Sequence, residues 1–168
     1  MTQYDHFRNP PHRRLGALGI VRNSAGGVLM LKMEPERNEA QRPWHHPGGC
    51  VEANERISDA LVRVARNKLG VTLTPGRLLA VHHMHDEVHG QGDSQWLSKE
   101  GVNFLFDCGT VDFGDSGFTF GPRVIDVRYV MPEEFDGLLS PFTAARTRAA
   151  LRAVDGAPVE MLVGHPDR

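Results

Sequence analysis

Cysteine is almost absent from this chain: Cys50 and Cys108 are the only two among 168 residues. They make no Cys-x-x-Cys pair and no disulfide framework. No apolar run approaches the ~20 residues that a membrane-spanning helix needs. A strong charge of one sign is also missing. The net charge of -2 provides no basis for sequence-independent binding to nucleic acid or to a membrane surface. The opening residues, Met1-Thr2-Gln3-Tyr4-Asp5-His6, are polar and lack the apolar segment of a secretory signal, so a cytoplasmic location is expected. Repeats, low-complexity tracts and a dividing linker are lacking too. What remains has the composition of an ordinary globular protein, of one domain's length, with enough chain to bury a core.

Residues 1–14 are polar and read as an arm or short edge segment, followed by a single domain over 15–168. Leu15 to Val21 and Val28 to Lys32 read as two strands joined by the turn cluster Asn23-Ser24-Ala25-Gly26-Gly27. Met33 to Pro43 is a charged and polar loop, and Trp44 to Gly49 a second turn. Ile57, Ala60, Leu61, Val64, Ala65 and Leu69 recur at helical spacing and predict a helix over Ile57–Leu69. Asp59 suits its first turn and Gly70 its C-terminal stop. Strands are expected over Gly76–Val88, Val102–Cys108 and Val124–Met131, with a polar loop over Gly90–Gly101. A short helix opened by Pro132 and a longer one over Pro141–Val154 follow. Pro158 to Val163 has the makings of a short closing strand. The pattern is mixed α/β of the α+β type.

The stretch Pro47-Gly48-Gly49-Cys50-Val51-Glu52-Ala53-Asn54-Glu55 and the helix after it resemble the Nudix box. That signature runs Gly, five residues, Glu, seven residues, then Arg-Glu-apolar-x-Glu-Glu-x-Gly-apolar. Gly49, Glu55, Arg63, Ala65, Gly70 and Val71 fall in register. Val127-Arg128-Tyr129-Val130-Met131-Pro132-Glu133-Glu134-Phe135 also resembles the closing segment of that superfamily. The resemblance covers about Leu15 to Val163. It implies a Nudix-like mixed sheet sandwiched between helices, and hydrolysis of a nucleoside diphosphate linked to another group. In that family the helix glutamates hold Mg²⁺ or Mn²⁺ against the diphosphate. Here those three positions carry Val64, Asn67 and Lys68. They share one helix face, and they offer an apolar group, a neutral oxygen and a cation. The further acidic position falls on Gly121, Pro122 or Arg123. The usual Mg²⁺ or Mn²⁺ site is therefore expected to be lost.

Chemistry must then come from elsewhere. Arg63 and Glu55 are expected to pair and order the loop–helix unit. Lys68 is either a solvated helix residue or a cation standing in for the metal over a diphosphate. His83 and His85, if their strand continues, share a face roughly 7 Å apart, a spacing open to a transition metal. A third ligand would come from His45, His46, Glu52, Glu55 or Glu87. Histidine also serves as a general base near neutral pH, with His46 and His83 the candidates. The candidate catalytic residues are thus His46, Glu52, Glu55, His83 and His85. The candidate substrate-binding residues are Arg63, Lys68 and Trp44. A small-molecule ligand is expected, with no nucleic-acid or membrane partner; a homodimer is in keeping with the resemblance. Three functional classes stay open: a diverged enzyme on a phosphorylated or diphosphate-linked small molecule, a non-catalytic binding module, and an enzyme repurposed to non-phosphate chemistry.

Overall fold

The computed structural model describes residues 3–34, 44–89 and 96–166. Much of the two expected polar loops, 33–43 and 90–101, lies outside the described residues, and the side chain of Trp96 does too. Helix α1 (Gln3–Arg8) replaces part of the expected arm, and residues 6–13 are all exposed. Strands β1 (Arg14–Arg22) and β2 (Val28–Met33) follow, as the sequence pattern predicts. The expected turn over 44–49 contains two short strands instead, β3 (Trp44–His45) and β4 (Gly48–Cys50). Their backbones pair with β2 and β1, respectively.

Helix α2 occupies Ile57–Leu69, the span the periodicity predicts. Its N-cap, Arg56, makes no side-chain capping bond. Gly70 ends it in the left-handed conformation at φ 69°, its N–H donating to the Arg66 carbonyl, which a glycine does without steric cost. The strand expected over 76–88 breaks into β5 (Leu78–Met84) and β6 (Glu87–His89). Strand β7 (Trp96–Ser98) pairs with β6. Next come β8 (Gly101–Thr110) and β9 (Val124–Val130), a short α3 (Phe135–Leu138), α4 (Pro141–Val154) and β10 (Glu160–Val163). Ser140 caps α4 by accepting from the Thr143 N–H at 3.3 Å, with Pro141 at the first helical position.

The main sheet runs β10-β5-β8-β1-β2-β3, with β4 against β1 and β9 against β2. Alternation along each strand builds two cores. Ala17, Val21, Leu29 and Leu31 face α2, where Ala60, Leu61, Ala65 and Leu69 cover them. Ile20, Val28, Met30 and Leu105 face the other way, against Phe135, Leu139, Ala149, Ala150 and Ala153. A mixed sheet between helices is thus the architecture, as expected. Among the described residues no helix is long and apolar enough to cross a membrane.

Candidate functional site

The Gly48–Gly49 turn is built by close approach. Gly48 has φ 132°, and a Cβ there would stand 2.0 Å from the Ala17 carbonyl oxygen. Only a residue without a side chain lets β4 lie this close to β1. A Cβ on Gly49 would meet Val64 Cγ1 at 3.2 Å. Val64 is 8% exposed and packs over the turn. An isopropyl group therefore fills the side of the turn toward which a carboxylate at position 64 would point.

Glu55 and Arg63 form a two-pronged pair. Arg63 Nε donates to Glu55 Oε1 at 2.7 Å and Nη2 to Oε2 at 2.8 Å. Nη2 also donates to the Cys50 carbonyl at 3.1 Å, and the Glu52 N–H donates to Glu55 Oε2 at 2.9 Å. The hydrogen bonds from Arg63 and then from the Glu52 backbone hold the Glu55 carboxyl down to about 2. Glu52 is exposed and reaches Arg63 Nη1 at 3.3 Å. These three expected site residues form a loop-to-helix clamp. With its carboxylate oxygens engaged, Glu55 is occupied as a structural acceptor.

Lys68 is half-buried, not the solvated residue that one reading expected. Its Nζ donates to the Gly48 carbonyl at 3.1 Å. Burial pulls its pKa down, with an opposing influence from Cys50. Asn67 is exposed. The loop before β9 docks on the end of α2: the Thr119 N–H donates to Leu69 O and the Gly121 N–H to Lys68 O, each at 2.9 Å. Arg123, beyond it, donates Nη2 to the Glu34 carbonyl. The donor set of a hard divalent cation is an array of carboxylate oxygens. A valine, an exposed amide and an ammonium around this turn do not fit such an ion.

His46 is 3% exposed, and its Nε2 lies 2.8 Å from Thr147 Oγ1. Thr147 donates its own proton to the Thr143 carbonyl one turn back. The hydroxyl must accept, so His46 carries its proton on Nε2 and keeps a lone pair on Nδ1. Burial first, then Arg146 and His45, lower its pKa well below the usual value, so the ring is neutral at pH 7. The Thr147→Val variant is expected to leave that N–H unsatisfied and to cost about 1–3 kcal/mol. Chemical denaturation of the two proteins measures it, and equal midpoints would show that the contact carries no weight.

The histidine run divides by strand parity. His82 lies on the α4 face, opposite Asn103 of β8. It is 1% exposed, with Nε2 donating to the Gly164 carbonyl at 2.8 Å. Its Nδ1 is buried without a partner among the described residues. His83, the next residue, turns the other way. Its Nε2 is 2.7 Å from Glu100 Oε1, and Glu100 Oε2 is 2.6 Å from Arg13 Nε. His85 lies beyond the end of β5, its ring edge-on to His83 with centroids 5.0 Å apart. No group of three His, Cys, Asp or Glu suited to a metal occurs among the described residues. Of the expected His83–His85 pair, His83 is engaged by Glu100. Trp44 is 7% exposed within the α4-side core, with Arg128 and Lys32 over its ring at 5.4 and 5.9 Å.

Two arginines that the sequence reading passed over complete the site. Arg14 Nη1 donates to Asn103 Oδ1 at 3.1 Å. Arg146 Nε donates to the Phe142 carbonyl at 3.1 Å, and Nη2 lies 3.9 Å from Met84 Sδ. The residue is half-buried, and desolvation and then Arg14 pull its pKa down to about 10. His45 is exposed, yet its ring is held down to about 4 by desolvation, then by Lys68 and Arg146. Arg14 stands opposite Gly101 of β8, and Gly101 opposite Met84 of β5, on which Arg146 rests, so the two arginines lie at the same end of the sheet. Met84 also borders a cavity of about 410 Å³ with His85, Asp86, Glu87 and Phe142 on its walls. The two carboxylates there set it apart.

The profile of the NUDIX domain matches residues 12–153. The chain belongs to the Nudix family. Among its relatives, the low-salt glycan biosynthesis protein Agl8 of Haloferax volcanii is 38% identical over 89 residues, covering 50% of this chain and 54% of that protein. The CTP pyrophosphohydrolase of Escherichia coli is 35% identical over 65 residues, 39% of this chain and 47% of that protein. This Nudix chain therefore aligns with about half the length of each. The MutT protein of Methanosarcina mazei superposes with a TM-score of 0.63 at 20% identity, over 84% of this chain and 95% of that one. A UDP-X diphosphatase superposes with a TM-score of 0.65 at 17% identity, over 95% of this chain and 73% of that one. The matched residues include the loop–helix unit, which carries valine, asparagine and lysine at positions 64, 67 and 68.

Proposed function

We propose that this Nudix protein is a diverged enzyme that acts on a nucleoside diphosphate-linked small molecule, with Lys68 taking the charge-neutralising place of the divalent metal. The carrying observation is the Lys68 ammonium, 3.1 Å from the Gly48 carbonyl and half-buried in the turn. A diphosphate laid across the turn accepts hydrogen bonds from Lys68, and charge-assisted bonds of this kind are among the stronger ones. His46 is the general base. Its Nε2–H is committed to Thr147, so Nδ1 takes a proton from water or from a substrate hydroxyl. The relatives named for CTP pyrophosphohydrolysis and nucleoside triphosphate hydrolysis support the phosphoanhydride class.

A binding module without turnover is the second reading. One observation favours it: Glu55 of the loop–helix unit is held by Arg63 on both carboxylate oxygens, which takes it out of use as a base. Calorimetry and product analysis with ADP-ribose, in EDTA and in Mg²⁺, separate the two. The enzyme reading expects binding and turnover in EDTA, with His46→Gln losing turnover while still binding. Lys68→Met is expected to weaken binding about tenfold or more. Turnover that requires Mg²⁺ and disappears in EDTA would end the metal-free reading.

A further inference from the structure

We propose that the end of the ligand remote from the diphosphate carries its own negative charge, a carboxylate or a phosphate, seated on Arg146 and Arg14. This rests on the reading above for the diphosphate end only.

The argument begins with charge pairing. Helix α4, Pro-Phe-Thr-Ala-Ala-Arg-Thr-Arg-Ala-Ala-Leu-Arg-Ala-Val, carries three arginines and no acid. Arg148 reaches Asp136 at 3.0 Å and Arg152 reaches Glu160 at 2.7 Å. Arg146 turns toward the sheet, and its partners among the described residues are a carbonyl and a thioether. The elements facing it offer nothing better. Strands β1, β4 and β5 contain no acidic residue. The one acid of β8, Asp107, is held by Arg22 at 3.0 Å, and Glu160 of β10 by Arg152. Among the described residues, Arg14, Lys68 and Arg146 have no carboxylate partner. A desolvated guanidinium without a counter-charge is unfavourable, and a second cation beside it adds repulsion. Such a cluster is relieved by an anion, which a planar guanidinium accepts on two oxygens at once.

The recognition elements are built, not incidental. A Cβ at position 16 would lie 2.2 Å from Asn103 Oδ1 and 3.0 Å from Arg14 Nη1. Gly16 is what lets Asn103 hold Arg14 over the sheet. One strand further across, His82 keeps a buried, unpartnered lone pair on Nδ1. It can accept from a hydroxyl beside the anionic group, as in a sugar acid or sugar phosphate. The site is also contiguous with the turn. Lys68 touches Gly48, and two residues before Gly48 stands His46, which bonds Thr147, the neighbour of Arg146. A neutral ring at the far end would leave the two arginines uncompensated, so the ligand class is a diphosphate with an acidic substituent.

The test compares UDP-glucose with UDP-glucuronate, which differ by a hydroxymethyl against a carboxylate. Calorimetry in EDTA is expected to give about tenfold tighter binding of UDP-glucuronate, the scale of a charge-assisted pair. Arg146→Met is expected to collapse that ratio to near one, and Arg146→Lys to restore part of it. The Arg146→Met protein is also expected to melt at a higher temperature than the wild type without ligand, which a purely structural arginine would not give. Equal affinities in the wild type, or a ratio that survives Arg146→Met, overturn the proposal. If neither nucleotide sugar binds, the diphosphate reading fails and the arginine site is tested alone. In a Lys68→Met background inorganic phosphate is expected to raise the melting temperature, and adding Arg146→Met to abolish the rise. No rise in that background overturns the arginine site as well.

Discussion

The triple variant Val64→Glu, Asn67→Glu, Lys68→Glu is expected to bind Mg²⁺ and Mn²⁺ at the Gly48–Gly49 turn, where the wild type does not. The three positions share a face of α2. In the wild type they present an isopropyl group packed on Gly49, an exposed amide, and an ammonium on the Gly48 carbonyl. Three carboxylates in their place supply hard oxygen ligands beside that same carbonyl. Without metal they repel one another, and a glutamate at the buried position 64 is desolvated. The free variant is therefore expected to melt below the wild type and to recover with millimolar Mg²⁺. Calorimetry decides the matter: a folded triple variant that takes up neither ion would show that the scaffold around the helix has drifted along with its side chains.

Gly48→Ala is expected to be strongly damaging, costing about 3 kcal/mol or more. The new methyl would stand 2.0 Å from the Ala17 carbonyl oxygen, at a backbone φ of 132°. Rigid backbone on both sides leaves no flexible side chain to yield. The pairing of β4 with β1 would open, and the acceptor of Lys68 would move with it. Denaturation midpoints measure the cost, and hydrogen exchange at Val51, whose N–H donates to Leu15 O at 2.9 Å, reports whether the pairing opens. A midpoint within experimental scatter of the wild type, with Val51 still protected, would contradict the close approach described here.

Local patterns in the sequence carried the fold. The helical recurrence of Ile57, Ala60, Leu61, Val64, Ala65 and Leu69 and the stop at Gly70 predict the limits of α2, because one amphipathic face and one left-handed cap are decided by neighbours in the chain. The Glu55–Arg63 clamp was legible for the same reason: both residues lie within the loop–helix unit. The strands at Trp44 and Gly48 were not, because their short pairings are made with β2 and β1, far away in sequence.

The site divides along the same line. His83 drew attention as half of a His-x-His pair, and a one-residue step in parity decides that His82 meets Phe142 of α4 while His83 meets Glu100. Composition and spacing do not reveal which face of a strand is covered. Arg146 gave only a weak sign, a polar Thr143-x-x-Arg146-Thr147 stripe in an alanine-rich helix. Its meaning depends on where α4 docks.

The sequence by itself determined the Nudix family, the mixed sheet between helices, and the valine, asparagine and lysine at 64, 67 and 68. Those follow from residue identity and from contacts a few residues apart. Only the tertiary structure decided that Lys68 leans on the Gly48 carbonyl, that His46 is oriented by Thr147, and that Arg14 rests on Asn103 and Arg146 on Met84 with no carboxylate partner among the described residues. Those are long-range facts. They depend on which strand faces meet which helix, and on which charges find a partner when the chain closes.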